Sequence, residues 1–318
     1  MHPALSVIFF TTLSGAGYGL LAWSGLTMAL LALRGGLSTA LEGVQFAGLL
    51  LGLLLSTVGL LCSLFHLGKP GRAWRALSQW RTSWLSREGV LALLTPLPAL
   101  AAIVLLFLAT PGPTRAAWLA CLGLLTAVMA LATVACTAMI YASLKPIPAW
   151  RHPLVLPVYL LFALVTGLAL QLLTVAAVLH GQGLAAMLPT LALAGLVLAL
   201  LKWLYWRGID ASPAPATRGA AVGLPGRDVR VFERPHSEES YITREMAFKV
   251  ARLHGRRLRF AALALLVAAP VLASGLLLAG WMPALPATLL AVLGLLAAAF
   301  FERWLFFAQA RHVVASYY

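Results

Sequence analysis

The stretch from His66 to Glu88, HLGKPGRAWRALSQWRTSWLSRE, lies between two apolar runs, with an imidazole and a carboxylate at its ends. Five cations, Lys69, Arg72, Arg75, Arg81 and Arg87, alternate with Trp74, Trp80 and Trp84 inside it. Half-buried ionisable groups at the ends of apolar runs are costly unless they are paired or used. Together His66 and Glu88 suit the two protons that accompany two-electron chemistry of a quinone. The imidazole would hold a carbonyl or hydroxyl, and the carboxylate would pass protons to water. The opposing reading is structural. Trp74, Leu77, Trp80 and Trp84 recur at spacings of three, three and four, which puts them on one face of a helix. Arg72, Arg75 and Arg81 can snorkel from that helix to lipid headgroups. An interfacial anchor helix therefore accounts for the tryptophans and most of the arginines as well as a binding site does.

The elements that must position these groups follow from composition. Hydrophobic residues make up 62% and charged residues 10% of 318 positions, outside the range of soluble domains. This is the composition of an all-α integral membrane protein. The formal charge of +14 does not point to nucleic acid, because the cations sit in connections beside apolar runs, where membrane orientation explains them. Cys62, Cys121 and Cys136 all fall inside apolar runs and form no CxxC pair, so they are expected to be small core residues rather than a disulfide framework or iron–sulfur ligands. The opening run has no basic n-region and is too long for a signal h-region, so it is expected to be the first span.

A bilayer core of about 30 Å takes roughly 20 helical residues. On that measure the sequence divides into eight spans at 5–33, 43–65, 88–110, 115–142, 153–179, 184–206, 258–280 and 284–307, expected to form two four-helix bundles. The small residues from Ser14 to Gly19 allow close approach of a neighbouring helix or of a flat ligand. Arg34 and Arg115 belong to one side of the membrane, and the remaining lysines and arginines, Lys202 and Arg303 among them, are assigned to the other. That bias places both termini in the cytoplasm. Residues 207–257 form a cytoplasmic strap between helices 6 and 7, rich in Pro, Gly and Arg in its first half. From Ser237 to Arg259 the strap reads as an amphipathic helix, with Tyr241, Met246, Phe248 and Leu253 as apolar anchors for lipid or a partner.

Phe65-His66-Leu67-Gly68-Lys69-Pro70-Gly71-Arg72-Ala73-Trp74, followed by Ser78-Gln79-Trp80-Arg81-Thr82-Ser83-Trp84-Leu85-Ser86-Arg87-Glu88, resembles the loop after the second helix in membrane anchor subunits of the dimethyl sulfoxide reductase type. The opening His2-Pro3-Ala4-Leu5-Ser6-Val7-Ile8-Phe9 and the segment Tyr241-Ile242-Thr243-Arg244-Glu245-Met246-Ala247-Phe248 are similar to the branch serving cytoplasmic sulfite-oxidising molybdoenzymes. The resemblance implies an anchor in the bacterial inner membrane, without a redox metal of its own, that binds ubiquinone or menaquinone. It would hold an iron–sulfur subunit, which touches a molybdopterin catalytic subunit. It also implies His66 as the quinone-site histidine and Glu88 as the site's acid. Arg72, Trp74 and Tyr141 join them as candidates because of their expected depth on the same side. A cytoplasmic face for the His66–Glu88 loop favours sulfite oxidation over a menaquinol-oxidising dimethyl sulfoxide reductase.

Three other readings compete. A diheme cytochrome b needs histidine pairs at two depths, whereas His66, His152, His254 and His312 gather near one face and His180 near the other. One haem between two same-side histidines stays open, but no haem is expected. A secondary transporter would show matching Gly/Pro-broken helices in its two halves. A purely structural tether would form the same complex with no quinone site.

Overall fold

The computed structural model describes residues 4–65, 67–212, 217–233 and 250–313, excluding the side chains of residues 221 and 250–253. His66, His2-Pro3 and the segment 241–248 lie outside the described residues. Ten α-helices among the described residues run in order: α1 Leu5–Leu33, α2 Thr39–Leu64, α3 Trp84–Leu94, α4 Pro96–Leu108, α5 Pro113–Ala142, α6 Val155–Val178, α7 Leu184–Ala211, the single turn α8 Arg218–Ala221, α9 Val250–Leu278 and α10 Ala284–Ala308. With α3 and α4 joined end to end as Trp84–Leu108, eight stretches among the described residues are long and apolar enough to cross a membrane.

Helices α1, α2, α3–α4 and α5 pack as one group, and α6, α7, α9 and α10 as a second. The seam between the groups is made mainly by α1 against α6. Glycine permits this contact: a Cβ at Gly19 would strike the carbonyl of Ala163, and one at Gly167 would strike the backbone of Gly19. Gly17 is likewise closed off by the backbone of α2. In the Ser14–Gly19 patch, helix packing thus occupies Gly17 and Gly19.

The third span begins at Trp84 rather than at residue 88. Ser83 caps its first turn by accepting from the Ser86 N–H, at 3.5 Å. Arg87, expected to mark the loop, is helical, and its guanidinium folds back to donate to the carbonyls of Trp80, at 3.0 Å, and Arg81, at 2.7 Å. At Pro96 and Pro98 two backbone donors are missing, which divides the span into α3 and α4. The Thr95 hydroxyl at the joint donates to Leu91 O at 2.7 Å.

Residues 70–79 form a 3₁₀ helix instead of an α-helix. Its three-residue turn still aligns Trp74, Leu77 and Trp80. None of its side chains is buried, and Leu77 lies against Gly89. The seventh span starts earlier than expected: α9 is helical from Val250, so the last turns of the expected amphipathic segment continue straight into the membrane helix. Arg259 makes that continuation tolerable. It pairs with Asp210, at 2.5 Å, and donates to Gln309, at 2.9 Å.

Candidate functional site

On α3 and α4 the buried positions Glu88, Ala92, Pro98, Ala99 and Ala102 face inward with Thr95, a stripe at helical spacing. Opposite lie Ala130, Thr133 and Thr137 of α5. The two stripes meet through hydroxyls: Thr95 and Thr133 are 3.1 Å apart, and Thr137 donates to Glu88 Oε1. Glu88 is only 5% exposed, one turn inside the membrane helix rather than at its end. Ion pairs involving Glu88 are absent among the described residues.

The Thr137 hydroxyl also lies 3.1 Å from Thr133 O. A hydroxyl has one proton and two lone pairs. When it donates to the carboxylate, Glu88 is ionised; when it turns to Thr133 O, its oxygen can accept from a protonated Glu88. The arrangement therefore accommodates both forms of the acid without moving a heavy atom. That is what a proton-exchanging group requires.

Tyr18, Tyr141 and Tyr159 lie within electrostatic range of Glu88. Tyr141, one turn beyond Thr137, packs in an aromatic group with Trp150, Tyr159, Phe306 and Phe307, its ring 5.1 Å from Trp150 and 5.3 Å from Phe307. Beside Thr137, at the seam of the two bundles, is a cavity of about 20 Å³ lined by Thr12, Tyr18, Thr137, Tyr159 and Arg303 among others. This is space for water, not for an aromatic ring.

Across the cavity sits a charge cluster, and it corrects the expectation that its cations belong to the cytoplasmic surface. Lys202 of α7 is 1% exposed, Glu302 of α10 0% and Arg303 3%. Glu302 Oε1 contacts Lys202 Nζ, and Oε2 lies 3.4 Å from Arg303 Nη1. Neither contact has hydrogen-bond alignment. Aromatic faces supply further stabilisation: Lys202 Nζ is 3.8 Å from the Tyr205 ring centre, and the Arg303 guanidinium is 3.5 Å from that of Tyr159. The signal in the sequence is position. All three residues stand inside apolar helical runs, where an ionisable group faces the bundle interior.

Glu88 on α3 meets Thr137 of α5, one turn from Tyr141, whose own ring packs on Trp150, Tyr159, Phe306 and Phe307; Arg72 and Trp74 are not brought to them. Arg72 is exposed and Trp74 is 66% exposed on the 3₁₀ segment, with Arg75 over the Trp74 ring at 5.6 Å. The segment is nonetheless fastened to α3, because the Ser86 hydroxyl donates to Ala76 O and Arg87 stacks on Trp84 at 4.3 Å. Cys136 is buried and Cys62 intermediate, but Cys121 lies on the outer face of α5 rather than in the core. At the opposite end of the molecule Arg115 donates to Glu42, at 2.6 Å, and to the carbonyls of Leu105 and Leu106. That clasp ties α2, α4 and α5.

Fold and site define a polytopic helical membrane protein with a buried acid between two of its spans and no soluble domain among the described residues. A family model described as "DMSO reductase anchor subunit (DmsC)" matches residues 1–308. The chain is also similar to a sulfite dehydrogenase subunit of Allochromatium vinosum, at 34% identity over 337 aligned positions covering 100% of this chain and 99% of that protein. It belongs to the dimethyl sulfoxide reductase anchor subunit family.

Proposed function

We propose that this chain is the quinone-binding anchor of a sulfite-oxidising complex in the bacterial inner membrane, with Glu88 as the acid that exchanges protons with the quinone. The observation that carries the reading is the Glu88–Thr137 contact, which serves either protonation state of a buried carboxyl. The full-length similarity to a sulfite dehydrogenase subunit supports the choice of complex.

An iron–sulfur subunit docks on the face that carries the 3₁₀ segment and passes on electrons from a molybdopterin subunit. Each quinone takes two electrons from that partner and two protons from the cytoplasmic side, giving one quinol. The residues fit a quinone head group by type: Glu88 can donate to a carbonyl oxygen and accept from a hydroxyl, and His66 offers a second proton-exchanging group. Arg72 and Trp74 stand on the exposed segment over the same face, and Tyr141 closes the interior side. The 20 Å³ cavity is too small for the head group, so entry is from the lipid side of α3.

The second reading is a menaquinol-oxidising anchor of a dimethyl sulfoxide reductase, the kind of complex that the family description names. The purified complex distinguishes them. Sulfite-to-quinone activity exceeding quinol-to-dimethyl-sulfoxide activity is expected, and His66→Leu should lower the quinone-coupled rate while sparing sulfite oxidation by an artificial acceptor. The reverse preference would reassign the complex, and an unaffected His66→Leu variant would remove His66 from the site.

A further inference from the structure

The cavity at the seam is lined by one guanidinium and several hydroxyls, and among the described residues no carboxylate lines it. Most of the hydroxyls are already engaged: Thr11, Ser14 and Thr166 donate to backbone carbonyls, and Thr137 to Glu88. Four donors among the described residues are left over. Thr12 Oγ1, Tyr18 OH, Tyr159 OH and Arg303 Nη1 are buried without a hydrogen-bond partner, and all four residues line the same space. They come from α1, α6 and α10, so both bundles contribute.

Charge is unbalanced there as well. Lys202 and Arg303 set two positive charges against the single carboxylate of Glu302, which touches Lys202 and lies 3.4 Å from Arg303 Nη1. A surplus cation inside the membrane is costly unless something offsets it. The free volume of about 20 Å³ has room for one particle slightly larger than a water molecule. Water would accept two of the four hydrogen bonds and leave the charge as it is, whereas a small anion accepts all four and cancels it.

We propose that the seam cavity is a binding site for a small monovalent anion of chloride's size, held by the Arg303 guanidinium and the hydroxyls of Thr12, Tyr18 and Tyr159. The bound anion ties α1 of the first bundle to α6 and α10 of the second, beside the contact of Gly19 with Ala163. Thr137, Tyr159 and Arg303 each stand four or five residues from an end of their helix, so the site lies within about two turns of those ends. The site does not depend on the quinone reading, because its donors and its surplus charge are present whether or not quinone binds.

The test uses the complete complex in lipid nanodiscs, exchanged into sodium gluconate and titrated with sodium chloride at constant ionic strength. The unfolding midpoint of this chain within the complex should rise with chloride and then saturate. Tyr18→Phe combined with Tyr159→Phe keeps both rings and removes two of the donors, so half-saturation should need at least about tenfold more chloride. A wild-type midpoint indifferent to chloride, or the same titration in the variant and the wild type, would overturn the site. Direct observation gives a second measurement that does not rely on the variant. A bromide-soaked crystal of the complex should show anomalous density within hydrogen-bond reach of Tyr18, Tyr159 and Arg303. Ordered water there without a bromide signal would refute the anion.

Discussion

Lys202 carries a charge that the fold has enclosed completely, and its removal should be felt at once. Lys202→Met leaves Glu302 buried with only a poorly aligned guanidinium beside it. Breaking a buried pair from one side costs about 3–5 kcal/mol, whereas replacing both partners is often close to neutral. Lys202→Met is therefore expected to lower the thermal midpoint of the detergent-solubilised complex, and Lys202→Met with Glu302→Gln to recover much of the loss. His152 supplies a separate handle outside the spans. Burial, and then the Lys202 ammonium, lower its imidazole below the usual 6.5. The unfolded chain consequently binds this proton first, so stability should fall as pH drops below about 6.5. A thermal-shift series should show this slope, and His152→Gln should flatten it. At this scale the sequence is only partly legible. Glu88 stands out as an acid beside an apolar run, but its partner Thr137 is an ordinary hydroxyl on a distant helix. The opposite charges of Lys202 and Glu302 are likewise joined only by the packing of α7 near α10.

Elements are far easier to read, because a spanning helix must satisfy its own backbone and so writes a long apolar run into the chain. The eight spans follow from that rule, and departures occur where side chains override it. Arg87 extends the third helix to Trp84 by turning back onto two carbonyls, and Arg259 extends the seventh by pairing with Asp210 and Gln309. A run-length reading places a helix end at such cations and misses both extensions. The α1–α6 seam gives a prediction of the same rank. Gly19→Leu must push α1 away from the Ala163 carbonyl and should destabilise by about 1–3 kcal/mol or more. Gly275→Ala meets nothing within 4 Å and should be neutral or mildly stabilising. Unfolding midpoints of the two variants check the contrast.

At the scale of the whole molecule, charge is distributed unequally between the ends of the bundle, and burial changes how that asymmetry is counted. Lys202 and Arg303 are interior and drop out of the tally, while the 3₁₀ segment, the strap and the end of α9 keep the bias on the same side. A reporter fused after Tyr318 is expected to be active only as a cytoplasmic fusion, and periplasmic activity would invert the assignment. Glu88, the seam cavity and the buried cluster lie at one end of the bundle, on the side of the 3₁₀ segment with its exposed tryptophans. At the other end is the Arg115–Glu42 clasp. The claim at the centre of this account is that the buried carboxyl of Glu88 exchanges protons with quinone, and Glu88→Gln in the purified complex tests it most directly. Sulfite oxidation coupled to quinone should fall by about 100-fold or more, while sulfite oxidation by an artificial acceptor stays at the wild-type rate. Equal rates with quinone in the variant and the wild type would contradict it.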